Sequence, residues 1–172
     1  MVQWLCRLDP QELIRGEALA EEARQQGIGG WLLEVSLTAQ GSLVPQIPLE
    51  ALLSGESLLP FCLSCRLPAT LSPRGEDHAA LAFAPFLAHP LAVRLGSSPL
   101  LVLENTSGFS HPAYGPQRFR LTLQRGLRTT GLSAEPLLLL GRDESRTPLN
   151  GAFDGRDGRP GGGELPPEPC KI

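Results

Sequence analysis

The chain has 172 residues, 41% of them hydrophobic, which supplies one core of ordinary size and excludes a wholly disordered polypeptide. Fifteen basic against eighteen acidic residues leave a net charge of −3, so a general attraction to nucleic acid or to an anionic membrane is not expected. No charged-then-apolar leader opens the sequence and no apolar window is long enough to span a bilayer. The expectation is therefore an intracellular chain, cytoplasmic or nuclear, with no membrane partner and with its four cysteines as thiols.

The first boundary is Asp9-Pro10-Gln11-Glu12. Asp9 suits an N-cap, Pro10 the first helical position and Glu12 the third residue of a capping box, so a helix is predicted from there to about Gln26, stopped by Gly27. Its stripe of Leu13, Gly16, Ala20 and Ala23 is interrupted by Glu17 and Arg24, which makes it weakly amphipathic. From Trp31 the period becomes two: Trp31, Leu33, Val35, Leu37 and Ala39 alternate with Leu32, Glu34, Ser36 and Thr38, the pattern of a half-buried strand. Gln40-Gly41-Ser42 reads as a turn, and Pro48 to Leu53 as a short helix ended by Ser54-Gly55.

Leu59, Phe61, Leu63, Cys65 and Leu67 alternate again, and the flanking Pro60 and Pro68 suggest an edge strand. Thr70 to Asp77 reads as a polar loop. The apolar runs Leu81–Phe86 and Leu91–Leu95, separated by His89-Pro90, and then Leu100–Leu103 after the Gly96–Pro99 turn, suggest further strands and a hairpin. Asn105 to Pro116 reads as a long loop. Phe119, Leu121 and Leu123 alternate with Arg118, Arg120, Thr122 and Gln124, as in a solvent-facing strand, and Leu137–Leu140 suits a short buried one. Beyond Gly141 the periodicity ends, so residues 1–141 are expected to form one globular strand-rich domain and residues 142–172 a disordered Gly- and Pro-rich tail. One capped helix followed by strands predicts an α+β fold with a mostly antiparallel sheet, or alternatively a β-sandwich carrying one helix.

Three groups of residues bear on chemistry. Cys62-Leu63-Ser64-Cys65 offers half of a tetrahedral thiolate site, and His78 follows at a finger-like interval, but no fourth ligand stands at a suitable spacing. A strand would also turn the two sulfurs to opposite faces. Gly27-Ile28-Gly29-Gly30 follows a helix instead of preceding one, the wrong polarity for a phosphate loop. Arg118, Arg120, Arg125 and Arg128 make a local positive patch without an interleaved aromatic residue, which suits an acidic protein partner better than stacked bases.

No catalytic residue and no cofactor site is assigned. The sequence leads to a non-catalytic protein–protein interaction or assembly subunit, using a sheet face or edge together with these arginines. Two alternatives stand beside it. One is a nucleic-acid-associated accessory protein using the arginine patch; the other is a small metalloprotein or enzyme built on Cys62, Cys65 and His78. The PxxP at Pro166–Pro169 is a possible ligand motif in the tail.

Overall fold

The computed structural model describes residues 4–54, 59–111, 113–141 and 169–171. Trp31, Leu33, Val35 and Leu37 do turn to one core, as their alternation predicts. The strand that carries them, β2 (Gly30–Leu37), nevertheless runs parallel to both of its long neighbours, β1 (Trp4–Leu8) and β4 (Phe61–Arg66). Parallel pairing continues from β4 to β6 (Ser98–Glu104) and from β6 to β7 (Leu137–Leu140). Antiparallel pairing is confined to short pieces: β3 (Leu43–Val44) on β2, β5 (Arg94–Leu95) on β6, and β8 (Pro169–Lys171) on β1.

The expectation of a mostly antiparallel α+β sheet is thus overturned: the fold is α/β, with a mixed sheet whose main strands are parallel. Period-two alternation marks a strand with one buried face but carries no information about its direction. Direction depends on the connections, and here helices fill them. Between β1 and β2 come a 3-10 segment (Pro10–Arg15) and α1 (Gly16–Gln25); α2 (Gln46–Leu53) precedes β4, α3 (Pro73–Ala88) follows it, and α4 (Gly115–Thr129) leads to β7.

The main strands stand side by side in chain order, β1-β2-β4-β6-β7. When the sheet always advances the same way and every crossover has the same hand, each helix falls on the same face. The burial pattern agrees. The principal core joins Cys6, Leu8, Trp31, Leu33, Phe61, Leu63, Leu101 and Leu103 of the strands to residues of all four helices. A second cluster on the opposite face holds Leu5, Leu32, Cys62, Val93 and Leu100, and no helix contributes to it.

Several elements differ from their predicted form for identifiable reasons. The N-terminal helix breaks in two at Gly16, whose φ of +56° leaves the helical region, so a 3-10 segment capped by Asp9 precedes α1. The residues Thr70 to Asp77, read as a loop, include a cap: the Ser72 hydroxyl accepts from the Gly75 N–H at 3.0 Å and Pro73 opens α3. Pro85 lies inside that helix near its end, where burial of Phe83, Phe86 and Leu87 offsets the lost hydrogen bond. The segment 59–67 forms the central strand β4 and not an edge, because Pro60 and Pro68 fall just outside it. The hairpin between the 91–95 run and residue 98 onward is present as β5–β6, and α2 and β7 stand where the sequence puts them, but β7 is not the buried strand expected: Leu137, Leu139 and Leu140 are exposed. The tail assigned to 142–172, with its PxxP, lies outside the described residues apart from the pairing of β8 with β1.

The largest difference concerns residues 118–124, which belong to α4 and not to a strand. Phe119, Leu123 and Leu127, four residues apart, are fully buried, and Phe119 meets Phe83 and Phe109 edge to face with centroids 6.1 and 5.8 Å apart. Leu121, which a strand would bury beside Phe119, is 47% exposed. Phe119→Ala is therefore expected to cost about 3–5 kcal/mol in urea unfolding. Leu121→Ala is expected to cost less than about 0.5 kcal/mol. Comparable losses at the two positions would contradict the helix.

Candidate functional site

Each main strand spends one set of alternate side chains on the helix layer and leaves the other set on the open face. That second set changes character along the strands. Toward the amino end it is apolar: Leu5, Leu32, Cys62 and Leu100. Toward the carboxyl end it becomes Arg7 of β1, Glu34 and Ser36 of β2, Ser64 and Arg66 of β4, and Glu104 of β6. The register sets Glu34 against Ser64, Ser36 against Arg66, and Arg66 against Glu104, which brings these residues into adjoining rows.

They form one connected group. Arg7 donates to Glu34 Oε1 at 2.7 Å and lies 3.7 Å from Glu104 Oε1. The Ser64 hydroxyl, on a residue only 3% exposed, donates to the same Glu104 oxygen at 2.8 Å. Arg66 approaches Glu104 Oε2 at 3.8 Å and is 72% exposed, so it is the least restrained of the charged members. Glu34, Ser36, Ser64, Arg66 and Glu104 border a hollow of about 150 Å³. Two guanidinium and two carboxylate groups give this group no formal excess charge.

The loops beyond the strand ends are tied together. The Asn105 side chain donates to the Leu67 carbonyl at 3.0 Å, from a left-handed backbone (φ 58°) that asparagine tolerates. Leu71 N–H donates to the Gly108 carbonyl at 2.8 Å. Glu76, buried in the first turn of α3 where the helix dipole favours a carboxylate, accepts both the N–H and the hydroxyl of Ser110 at 2.7 Å. The segments that follow β4 and β6 are thus held to one another by hydrogen bonds.

The residues singled out from the sequence lie elsewhere. Cys62 belongs to the open-face cluster and Cys65 to the principal core, so their sulfurs diverge across β4. His78 sits on α3, its Nδ1 3.2 Å from the Gln40 carbonyl. Among the described residues no three His, Cys, Asp or Glu side chains converge in a way that would hold a metal ion. Burial pushes the Cys62 thiol up to about 12, a nearby backbone hydrogen bond opposing it, and burial together with the Glu104 charge raises Cys65 still more strongly. Both are neutral thiols, poor as nucleophiles or ligands.

The four arginines share α4 but not one face. Arg118 pairs with Asp77 of α3 at 2.5 Å and also donates to the Pro73 carbonyl, whereas Arg120 turns away to Glu135 at 2.7 Å. Arg125 and Arg128 are exposed. Asp77, Leu81, Arg118, Leu121, Thr122 and Arg125 line a groove of about 520 Å³ between α3 and α4. Leu81 and Leu121 are 50% and 47% exposed along it. The helices approach closely because Gly126 faces Ala84, where an added Cβ would come within 3.0 Å of the alanine methyl.

The group at the carboxyl end was not found from sequence, although Glu34 and Ser36 were already on the polar side of their strand. The signal that points to it is the change from apolar to polar along one face of four strands, which becomes meaningful only once those strands run the same way. Comparison with family models, with curated proteins and with solved structures finds no match for this chain. No described helix is long and apolar enough to cross a membrane.

The buried thiols have a consequence for stability. An unfolded cysteine ionises near its ordinary value of 9.0, whereas native Cys62 keeps its proton to about 12. Between those values the native state binds more protons, so this contribution to stability is complete below about pH 9 and is lost as pH rises toward 12. Denaturant midpoints measured in steps above pH 8 should fall for the parent chain and fall less steeply for Cys62→Ala/Cys65→Ala. Equal slopes would remove these thiols as the cause.

Proposed function

We propose that this chain binds a small polar ligand at the carboxyl end of its parallel sheet, on the face its helices leave open. One observation carries the reading: Glu34, Ser36, Ser64, Arg66 and Glu104, from β2, β4 and β6, border a hollow of about 150 Å³, and Arg7 of β1 pairs with both of its carboxylates. The carboxyl ends of parallel strands can offer polar side chains without disturbing the core. Folding supplies little reason for such a group. A solvent-facing strand end needs polar residues but not paired charges, and exposed ion pairs of this kind contribute only about 0–1 kcal/mol each.

Thermal shifts against a panel of small polyols, amines, carboxylates, phosphates and amino acids test the reading. A ligand present at 100 times its Kd stabilises by about 2.7 kcal/mol, roughly 5–10 °C for a chain of this size. At least one class is expected to raise the Tm of the parent chain and to leave Glu34→Ala/Arg66→Ala unmoved. Identical responses from parent and variant across the panel would end the proposal.

A second surface favours a protein-interaction role. The groove between α3 and α4 combines exposed Leu81 and Leu121 with Arg125, and α4 carries no acidic residue. An acidic peptide with leucine anchors fits that combination, since the exposed leucines offer apolar contacts that a phosphate backbone would not use. Arg125→Glu/Arg128→Glu is expected to abolish binding of a labelled Glu- and Leu-rich peptide at low salt. Retained peptide binding would count against this surface, and tighter binding of a single-stranded oligonucleotide by the parent would favour nucleic acid instead.

A further inference from the structure

We infer that the ligand of the carboxyl-end hollow is a small zwitterion carrying a carboxylate and a primary ammonium group, of the size of a free amino acid. The inference rests on the reading of that hollow as a ligand site and concerns which chemistry it takes.

Charge balance is the first consideration. Arg7 and Arg66 face Glu34 and Glu104, so the group is formally neutral before anything binds. A simple anion drawn to Arg66 would stand beside two carboxylates, and a simple cation drawn to Glu34 would stand beside two guanidinium groups. Each gains one attraction and meets like charge a few ångströms further on. A molecule bearing both charges presents each to its complement and leaves the total unchanged.

The second consideration is which charges are available. Among the described residues Arg66 has a single ionic contact, to Glu104 at 3.8 Å, beyond hydrogen-bond distance, and is 72% exposed. Its guanidinium can accept a carboxylate as a bidentate partner without giving up a hydrogen bond. Glu34 is 52% exposed and bonded to Arg7 through Oε1. Its outer side remains open to an ammonium donor. Ser64, by contrast, is committed to Glu104 and buried, which fixes that carboxylate as a wall of the hollow.

Size is the third. A hollow of about 150 Å³ matches a molecule of roughly five to ten non-hydrogen atoms and excludes nucleotides or peptides from full enclosure. Glu34 and Arg66 both border it, one from β2 and the other from β4, so the two charges of the ligand must be close together. An α-amino acid, or an ω-amino acid with a short chain, meets that requirement.

Amide-shift titrations of the full-length, isotopically labelled chain separate this inference from the reading beneath it. The probes are glycine, serine and γ-aminobutyrate as zwitterions, acetate as the anion, methylammonium as the cation, and glycerol as the uncharged polyol. At least one zwitterion is expected to shift the amides of Glu34, Ser36, Ser64, Arg66 and Glu104 saturably. Its Kd should lie at least about tenfold below those of acetate and methylammonium. Arg66→Gln and Glu34→Gln, each altering an exposed side chain, should weaken that zwitterion at least about tenfold while leaving the spectrum folded. Acetate, methylammonium or glycerol binding these amides as tightly as any zwitterion would overturn the zwitterion assignment and leave a ligand site standing. If no probe moves them, the zwitterion assignment fails, and the ligand-site reading fails with it if the thermal-shift panel is equally silent.

Discussion

The constraint on which this structure depends is that every crossover advances the sheet in the same direction. A parallel pair cannot be closed by a tight turn, so each step from β1 to β7 needs a long connection, and the chain fills each one with a helix. With the direction of advance fixed, the helices have no choice of face. One side of the sheet therefore carries almost all of the large-scale packing, with Phe61, Phe83 and Phe119 at its centre. The other side is released from that duty and is free to change character from one end to the other.

That division explains how β2 and β4 are written. Each has an unbroken apolar register on its helix-facing side, and each carries on the opposite side a hydrophobic residue early and polar ones late: Leu32 then Glu34 and Ser36, Cys62 then Ser64 and Arg66. The early residues form a compact apolar cluster with Leu5 and Leu100. The later ones are linked by ion pairs and one buried hydroxyl bond. The two buried thiols of β4 are part of the same scheme. Each fills a small apolar position, one on each face, and their proximity in sequence does not make them neighbours in space.

Much of the strand positions was legible in the sequence, and the reason is local: residues 30–37 and 61–66 announce themselves by alternation alone. Direction was not legible, because alternation is the same for either orientation. The helices α3 and α4 escape the sequence pattern for different reasons. In α3 the signal was present, Ser72-Pro73 being a good cap, but Pro85 and the run of small and apolar residues masked the period. In α4 the window 118–124 satisfies both periods at once, since Phe119 and Leu123 are two alternations or one helical step apart. The residue that decides is Leu127, outside that window. The group at the carboxyl end could not be assembled from spacing, because its members lie on four strands and meet only when those strands share a direction.

Strand order has a further consequence, for how the molecule comes to be built. In most parallel sheets the second half of the chain must return past the first, so that early strands wait for late ones to complete the middle. Here neighbours in the main sheet are successive strands in the chain, and the contacts joining them are correspondingly short in sequence. Each new strand emerging from the ribosome finds the preceding one already present as an edge to dock on, and each helix has its floor in place. Assembly can therefore follow synthesis from β1 to β7, and among the described strands only the β8–β1 pairing reaches across nearly the whole chain.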